Sequence, residues 1–413
     1  MEIVPELRFP EFSNKDTWDY LNGDKLFEPI SNKNHNSDLP ILAVTQEQGA
    51  IPRELIDYHV SVSDKSVESY KVVEIGDFII SLRSFQGGIE YSNYLGLCSP
   101  AYIILRKKRD LLNDFYRHYF KSFLFIQDLN RNLEGIRDGK MISYKQFSEI
   151  LIPNPKKEEQ QKIANCLSSL DDLINANHDR LDALKDHKKG LMQNLFPQEG
   201  ETVPKFRFKE FEDDGDWEIR SIEKNIDLIS GVALKSKELS DDKSGMPILR
   251  GINITEGFIR HSDEIDKFFL GDISEFKKYL VEENDIVIGM DGSKVGKNVA
   301  LISKEDSGSI LIQRVARIKV VNADVNYMYQ QFVSHSFRRY VDVVNTSSGI
   351  PHISAKQIRD FEIGFPPSTD EQKKIASCLS AVDELITAEA NKIEQLQQHK
   401  KGMMQGLFPK IES

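Results

Sequence analysis

Between Gln160 and Pro197 the apolar side chains fall in alternating steps of four and three: Ile163, Leu167, Leu170, Ile174, Leu181, Leu184, Leu191 and Leu195, with Asn177 and Lys188 filling the two polar places in the register. A seven-residue period of this kind marks one seam of a long helix that pairs with another helix. The same spacing returns at Ile375, Leu379, Val382, Ile386, Ile393, Leu396, Met403 and Leu407, with Glu389 and Lys400 in the two polar places. Glu158 and Glu159, like Asp370 and Glu371, stand in the first turn, and His-Lys-Lys-Gly stands near each end, charges that suit the helix dipole. About 36 residues at roughly 1.5 Å each make a rod near 54 Å long. Two matched seams in one chain can zip together, and the intervening stretch of about 165 residues is long enough to return the chain and make the pair antiparallel.

Outside the seams the pattern is mixed. Short apolar runs at Val72–Ile80, Ala101–Leu105, Asp285–Gly289 and Ala316–Val321, separated by Gly, Ser and Asn, predict strands. Asp114–Ile126 and Asn326–Val333 carry helical spacing with aromatic stripes, which read as core rather than as surfaces for stacking bases. The predicted fold class is therefore α+β, two mixed domains each followed by a long helix.

The chain repeats itself. Val4–Ser13 and Val203–Glu212 share six of ten residues, Trp18 returns as Trp217, and Gln160–Pro197 and Gln372–Pro409 share 21 of 38 at an offset of 212 residues. Between these blocks only faint landmarks match, such as Ile142-Ser-Tyr-Lys-Gln against Ile353-Ser-Ala-Lys-Gln. Two diverged copies of one domain account for this order, and the boundaries follow as 1–152, 153–199, 200–365 and 366–413.

Composition removes whole classes. At 413 residues, 29% charged and 39% hydrophobic, the chain suits two or three ordinary globular domains, and its net charge of -11 opposes a protein that coats nucleic acid or membrane by bulk charge. Cys98, Cys166 and Cys378 form no close pair, so neither a disulfide scaffold nor a thiolate metal site is expected, and a reducing cytoplasm is the natural compartment. Acids stand at the start where a secretory leader carries basic residues, and no apolar run approaches 18 residues, so no leader and no membrane span are expected. Gly292-Ser-Lys-Val-Gly-Lys-Asn298 imitates a phosphate loop, but it has three residues between the glycines, Asn298 in place of the magnesium-binding hydroxyl, and a strand pattern behind it. The nine histidines are scattered, and no nucleophile, metal or dinucleotide motif is found.

What remains is local. Across 290–319 six basic residues oppose three acids, and across 131–145 four oppose two. Arg137, Lys140 and Lys145 in the first stretch, and Lys294, Lys297, Gln313, Arg314 and Arg317 in the second, are candidate DNA contacts, joined by Lys356. The loop Ser81–Gly88 adds Arg83, Ser84, Gln86 and Gly87, since Arg and Gln pair bidentately with guanine and adenine edges and glycine lets the backbone come close. Each whole domain is nevertheless acidic, with 18 basic against 22 acidic residues in 1–152 and 23 against 29 in 198–365.

The segments Val4–Phe12 with Trp18, Val203–Trp217, Glu159-Gln-Gln-Lys-Ile163, Glu371-Gln-Lys-Lys-Ile375 and the closing Lys-Lys-Gly…Leu-Phe-Pro at both helix ends carry a resemblance over essentially the whole chain. It resembles the specificity subunit of type I restriction-modification systems. The resemblance implies two target-recognition domains, each reading one half of a split double-stranded DNA sequence, on two helices paired as an antiparallel coiled coil with internal pseudo-twofold repeat. It further implies two docked methyltransferase subunits, restriction subunits in the full complex, and no catalysis or cofactor in this chain. S-adenosylmethionine, ATP and magnesium would belong to the partners. A coiled-coil structural adaptor without DNA readout is the competing reading.

Overall fold

The computed structural model describes residues 4–13, 17–56, 67–131, 142–345 and 350–409. Arg137 and Lys140 lie outside them. Two 39-residue helices, α1 (Lys157–Leu195) and α2 (Thr369–Leu407), stand where the seams predict them. The chain forms two compact units, Met1–Asp179 with Ala390–Ser413 and Arg180–Glu389. Each helix is therefore divided between the units, because antiparallel pairing brings the first half of one helix beside the last half of the other.

In the first unit a four-stranded antiparallel sheet is built from β1 (Phe27–Ile30), β2 (Phe78–Ile80), β3 (Glu90–Tyr91) and β4 (Ile103–Lys107) in the order β1-β4-β2-β3. The second unit repeats the order with β5 (Ile226–Ser230), β6 (Ile286–Gly289), β7 (Val299–Leu301) and β8 (Val315–Val320), as β5-β8-β6-β7. The run Val72–Ile80 is not one strand. It breaks at Glu74–Asp77, where Gly76 takes a φ of 96° that other residues adopt only with strain, and the Asp77 carboxylate accepts from Glu74 N–H at 2.8 Å. The helical run at 114–126 is likewise two helices, Asn113–Tyr119 and Phe123–Arg131, with Ser122 capping the second through Phe125 N–H. The aromatic stripes do fill the cores: Phe115, Tyr116, Tyr119, Phe120 and Phe125 in one unit, Tyr327, Met328 and Phe332 in the other.

Within each unit the domain is locked to its helices by the same contacts. Arg8 grips Glu159 through Nε and Nη2 at 2.8 and 2.9 Å, and Arg207 grips Glu371 the same way at 2.8 Å for both bonds. Leu7 N–H donates to the Gly406 carbonyl and Phe206 N–H to the Asn194 carbonyl, both at 2.8 Å. A Cβ at Gly406 would lie 2.5 Å from the Leu7 side chain, which would have to shift, whereas the equivalent position of the other copy carries Asn194. Phe408 meets Phe115 edge-on at 5.6 Å, and Phe196 meets Tyr327 at 5.7 Å.

The seam positions Ile163, Leu167, Ile174 and Leu181 of α1, and Ile375, Leu379, Val382 and Ile393 of α2, are buried, while Leu170, Leu184, Ile386 and Leu396 are half-buried. Asn177 and Glu389, the polar pair of the register, are buried as well. Asn177 satisfies its amide on the Leu173 carbonyl at 2.6 Å, whereas Glu389 leans on Arg180 at 3.4 Å. The second polar pair fixes direction. Lys188 meets Asp383 at 2.6 Å in one unit and Lys400 meets Asp171 in the other, the same bond made twice in antiparallel sense.

Candidate nucleic-acid interface

Two domains with one scaffold differ in the loops that leave the sheet. The nine-residue loop after β2, Ser81–Ile89, and the nine-residue loop after β6, Met290–Asn298, occupy the same place in the two copies and hold six of the thirteen residues singled out above. In the first domain Arg83 and Gln86 are exposed. Ser84 is not: it is 1% exposed, and its hydroxyl accepts from Ser81 N–H at 2.9 Å, so it shapes the turn and is withdrawn from any ligand. At Gly87 a Cβ would lie 2.7 Å from the exposed Gln46 side chain, whose flexible end would have to move aside.

Gln46 belongs to the neighbouring turn Thr45–Gln48, whose exposed Gln46 and Gln48 the sequence did not single out. Lys121 ties that turn to the Arg83 loop, donating to the Gln46 and Gly87 carbonyls at 3.1 and 3.0 Å while pairing with the buried Glu90. Burial pushes the Glu90 carboxyl up and the Lys121 ammonium down, and their mutual attraction opposes both shifts.

In the second domain Lys294, Lys297, Gln313 and Arg314 are all exposed. Arg317, from the same basic run, is corrected to a structural role. It is 8% exposed, donates to the Leu280 carbonyl at 2.6 Å and sits 3.8 Å from Asp285, because β8 lies inside the sheet and is covered there. Three segments converge beside Arg314: Met290 N–H donates to the Arg314 carbonyl at 2.8 Å, Gly292 N–H to Pro351 at 3.0 Å, and Ile353 N–H to Met290 at 2.9 Å. They bring together Asp291, Arg314 and His352, of which only Arg314 stood out in the sequence.

Lys145 and Lys356 are exposed on short helices that open with the same capping box, Ser143 with Gln146 and Ser354 with Gln357. The run Arg106–Arg109 is structural at Arg106, which holds Asp77 with two bonds of 2.8 Å. Hydrogen bonding to Asp77, ahead of the charges of Asp77 and Glu74, raises the Arg106 pKa. Among the described residues no cluster of His, Cys, Asp and Glu could hold a metal ion, and no helix is long and apolar enough to cross a membrane.

The family model for the type I restriction modification DNA specificity domain matches residues 9–186 and again 214–398. The type I restriction enzyme MjaVIII specificity subunit of Methanocaldococcus jannaschii is 26% identical over 357 residues, 84% of this chain and 80% of that protein. The putative MjaX specificity subunit of the same organism is 24% identical over 402 residues, 93% and 87% of the two chains. The EcoAI specificity subunit of Escherichia coli is 32% identical over 196 residues, 46% of this chain and 31% of that one. In fold, the chain is similar to a type I restriction-modification S subunit from M. genitalium, with a TM-score of 0.57 at 15% identity over 99% of this chain and all of that one. A chain from a structural study of assembly and conformational transition of the type I R-M system gives 0.56 at 14% identity, covering 94% and 96%. With the family domain present twice on a scaffold whose contacts repeat while its loops diverge, the chain belongs to the type I restriction-modification DNA specificity family.

Proposed function

We propose that this chain reads a split DNA target, one half with each domain, while the helix pair sets the spacer and docks two copies of one methyltransferase subunit. The observation that carries the reading is selective repetition. The Arg–Glu clamp, the Lys–Asp seam pair and the aromatic lock recur in both units, and the exposed loops 81–89 and 290–298 do not resemble each other. Repetition supplies two equal mounts; divergence supplies two different readers. Phosphate contacts position a protein on DNA, whereas groove-edge contacts specify sequence. Because each domain is net acidic, affinity arises from exposed cations such as Lys145, Lys294, Lys297 and Lys356 and from partner subunits closing around the duplex. Methyl transfer and cleavage, with S-adenosylmethionine, ATP and magnesium, belong to those partners.

Docking of two identical partners needs the same surface twice. Leu173 on α1 and Leu385 on α2 hold one position of the repeat and are 43% and 50% exposed, each followed three residues later by an exposed alanine, Ala176 and Ala388. Leu173→Asp or Leu385→Asp is expected to remove one methyltransferase subunit, and both together two, as read by native mass spectrometry of the purified complex. Loss of neither would move the docking surface elsewhere.

The division of labour has its own test. In a complex with methyltransferase subunits, Arg83→Ala or Gln86→Ala is expected to relax one half of the methylated motif by about 1–3 kcal/mol at a single base pair, leaving the other half intact. A change spread over both halves would contradict it. DNA that the complex fails to bind at all would favour the adaptor reading.

A further inference from the structure

Arg314 stands where the backbone resists a long side chain. Its φ of 70° lies in the left-handed region, which Gly and Asn enter readily and a bulkier residue enters only with strain. Strain of this sort persists where the side chain has a task. The residue is 68% exposed, so packing does not explain it.

Its side chain is held at one end only. Arg314 Nε sits 3.2 Å from Asp291 Oδ2, and the other carboxylate oxygen of Asp291 is taken by His352 Nδ1. A carboxylate accepts and cannot donate, so His352 carries its proton on Nδ1 toward Asp291. With both oxygens engaged, the carboxylate is fixed between Arg314, just before β8, and His352 of a distant segment, to which it is also joined by the backbone bridge Asp291 to His352. Asp291 is the one ion-pair partner of Arg314 among the described residues, and the side chain is otherwise exposed. A guanidinium paired with a carboxylate on its Nε side and otherwise exposed has its Nη fork open to a ligand, and that fork matches O6 and N7 on the major-groove edge of guanine.

We propose that Arg314 reads a guanine in the half of the target assigned to the second domain, with Asp291 and His352 as positioning residues that preset its fork before DNA arrives. The inference rests on the split-target reading above and adds a base and two residues to it. Lysine could not substitute, because it offers a point charge without the fork.

The test uses the full chain with its methyltransferase subunits in a host free of other adenine modification, with modified motifs mapped by single-molecule sequencing. The wild-type motif is expected to contain a guanine that Arg314→Gly and Arg314→Lys both degrade, with roughly 5- to 150-fold loss of discrimination at that pair and no change in the other half. Arg314→Gly should also melt no lower than wild type, since glycine suits the backbone there. Asp291→Asn and His352→Gln should weaken discrimination at the same pair. A motif unchanged by Arg314→Gly would overturn the proposal, as would Asp291→Asn and His352→Gln variants that lower the amount of methylation without touching base preference. A wild-type complex with no split motif would overturn the underlying reading and this one with it.

Discussion

Replacing Arg207 with methionine is expected to destabilise the second unit by about 3–5 kcal/mol. The two side chains of the clamp are almost shut from water, at 6% exposure for Arg207 and 1% for Glu371. Arg207 spends Nε and Nη2 on the two carboxylate oxygens and Nη1 on the Gly215 carbonyl at 2.6 Å. Hydrogen bonding to Glu371 is the foremost reason the Arg207 pKa is raised. Removing the guanidinium strands a buried carboxylate, and only the N-terminal dipole of α2 remains to stabilise it. A double variant, Arg207→Met with Glu371→Met, should regain most of the loss, because burying two apolar side chains of similar size removes the desolvation penalty together with the attraction. Chemical denaturation of the two single variants and the double variant measures the coupling. Near-additive losses would show that the clamp acts through packing and not through charge. Arg8 and Glu159 make the same clamp in the first unit, so the same cycle there should give a similar coupling.

The second large effect depends on pH. His118 is 3% exposed, with Nε2 3.0 Å from Ser168 Oγ and Nδ1 3.8 Å from Asp171. Burial, and then the charges of Lys400 and Arg117, push its pKa down to about 3. Asp171 does not rescue the protonated ring because Lys400 already claims that carboxylate. An unfolded chain takes up the proton near pH 6.5, whereas the folded one refuses it until about pH 3, so the unfolded state binds more protons across that window. Stability present at neutral pH is therefore lost as pH falls below about 6.5, at roughly 1.4 kcal/mol per unit, or about 2 kcal/mol by pH 5. The second copy shows how to remove the effect. Gln330 holds the equivalent position and donates Nε2 to Asp383 at 2.8 Å, so His118→Gln should fold at neutral pH and flatten the acid slope of the first unit. Melting curves from pH 7 to pH 5 decide it; parallel slopes for the two proteins would assign the acid sensitivity elsewhere.

The scaffold was largely legible because it depends on periodicity and repetition. The seam can be read down to its polar places, since a heptad names both the buried leucines and the positions where Asn177, Lys188, Glu389 and Lys400 must find partners. The site was less legible because it depends on which side of a sheet a residue ends on and on meetings between distant segments. Arg314 and Arg317 are three residues apart in one basic run, yet one is a solvent-facing turn residue and the other bonds a carbonyl 37 residues away under cover. Ser84 reads as a hydrogen-bonding surface residue until the turn at Ser81 claims its hydroxyl. Asp291 and His352 are 61 residues apart, and no local pattern joins them. Gly76 and Ser122 broke elements that the apolar spacing ran together, each through local backbone chemistry that periodicity does not register.

The helix pair is the part of the account open to the most direct test. Seven residues inserted into α1 after Asp179, matched by seven inserted into α2 after Glu389, preserve both seams and both Lys–Asp pairs, because a whole heptad returns each apolar face to its partner. The axial gain is about 10 Å at 1.5 Å per residue. At roughly 3.4 Å per base pair, that corresponds to at most about three pairs of DNA. The measurement is the methylated motif of this variant in complex with methyltransferase subunits, mapped beside wild type. Two unchanged half-sites separated by a spacer longer by one to three base pairs is the predicted result; an active complex with the wild-type spacer, or with altered half-sites, would contradict it.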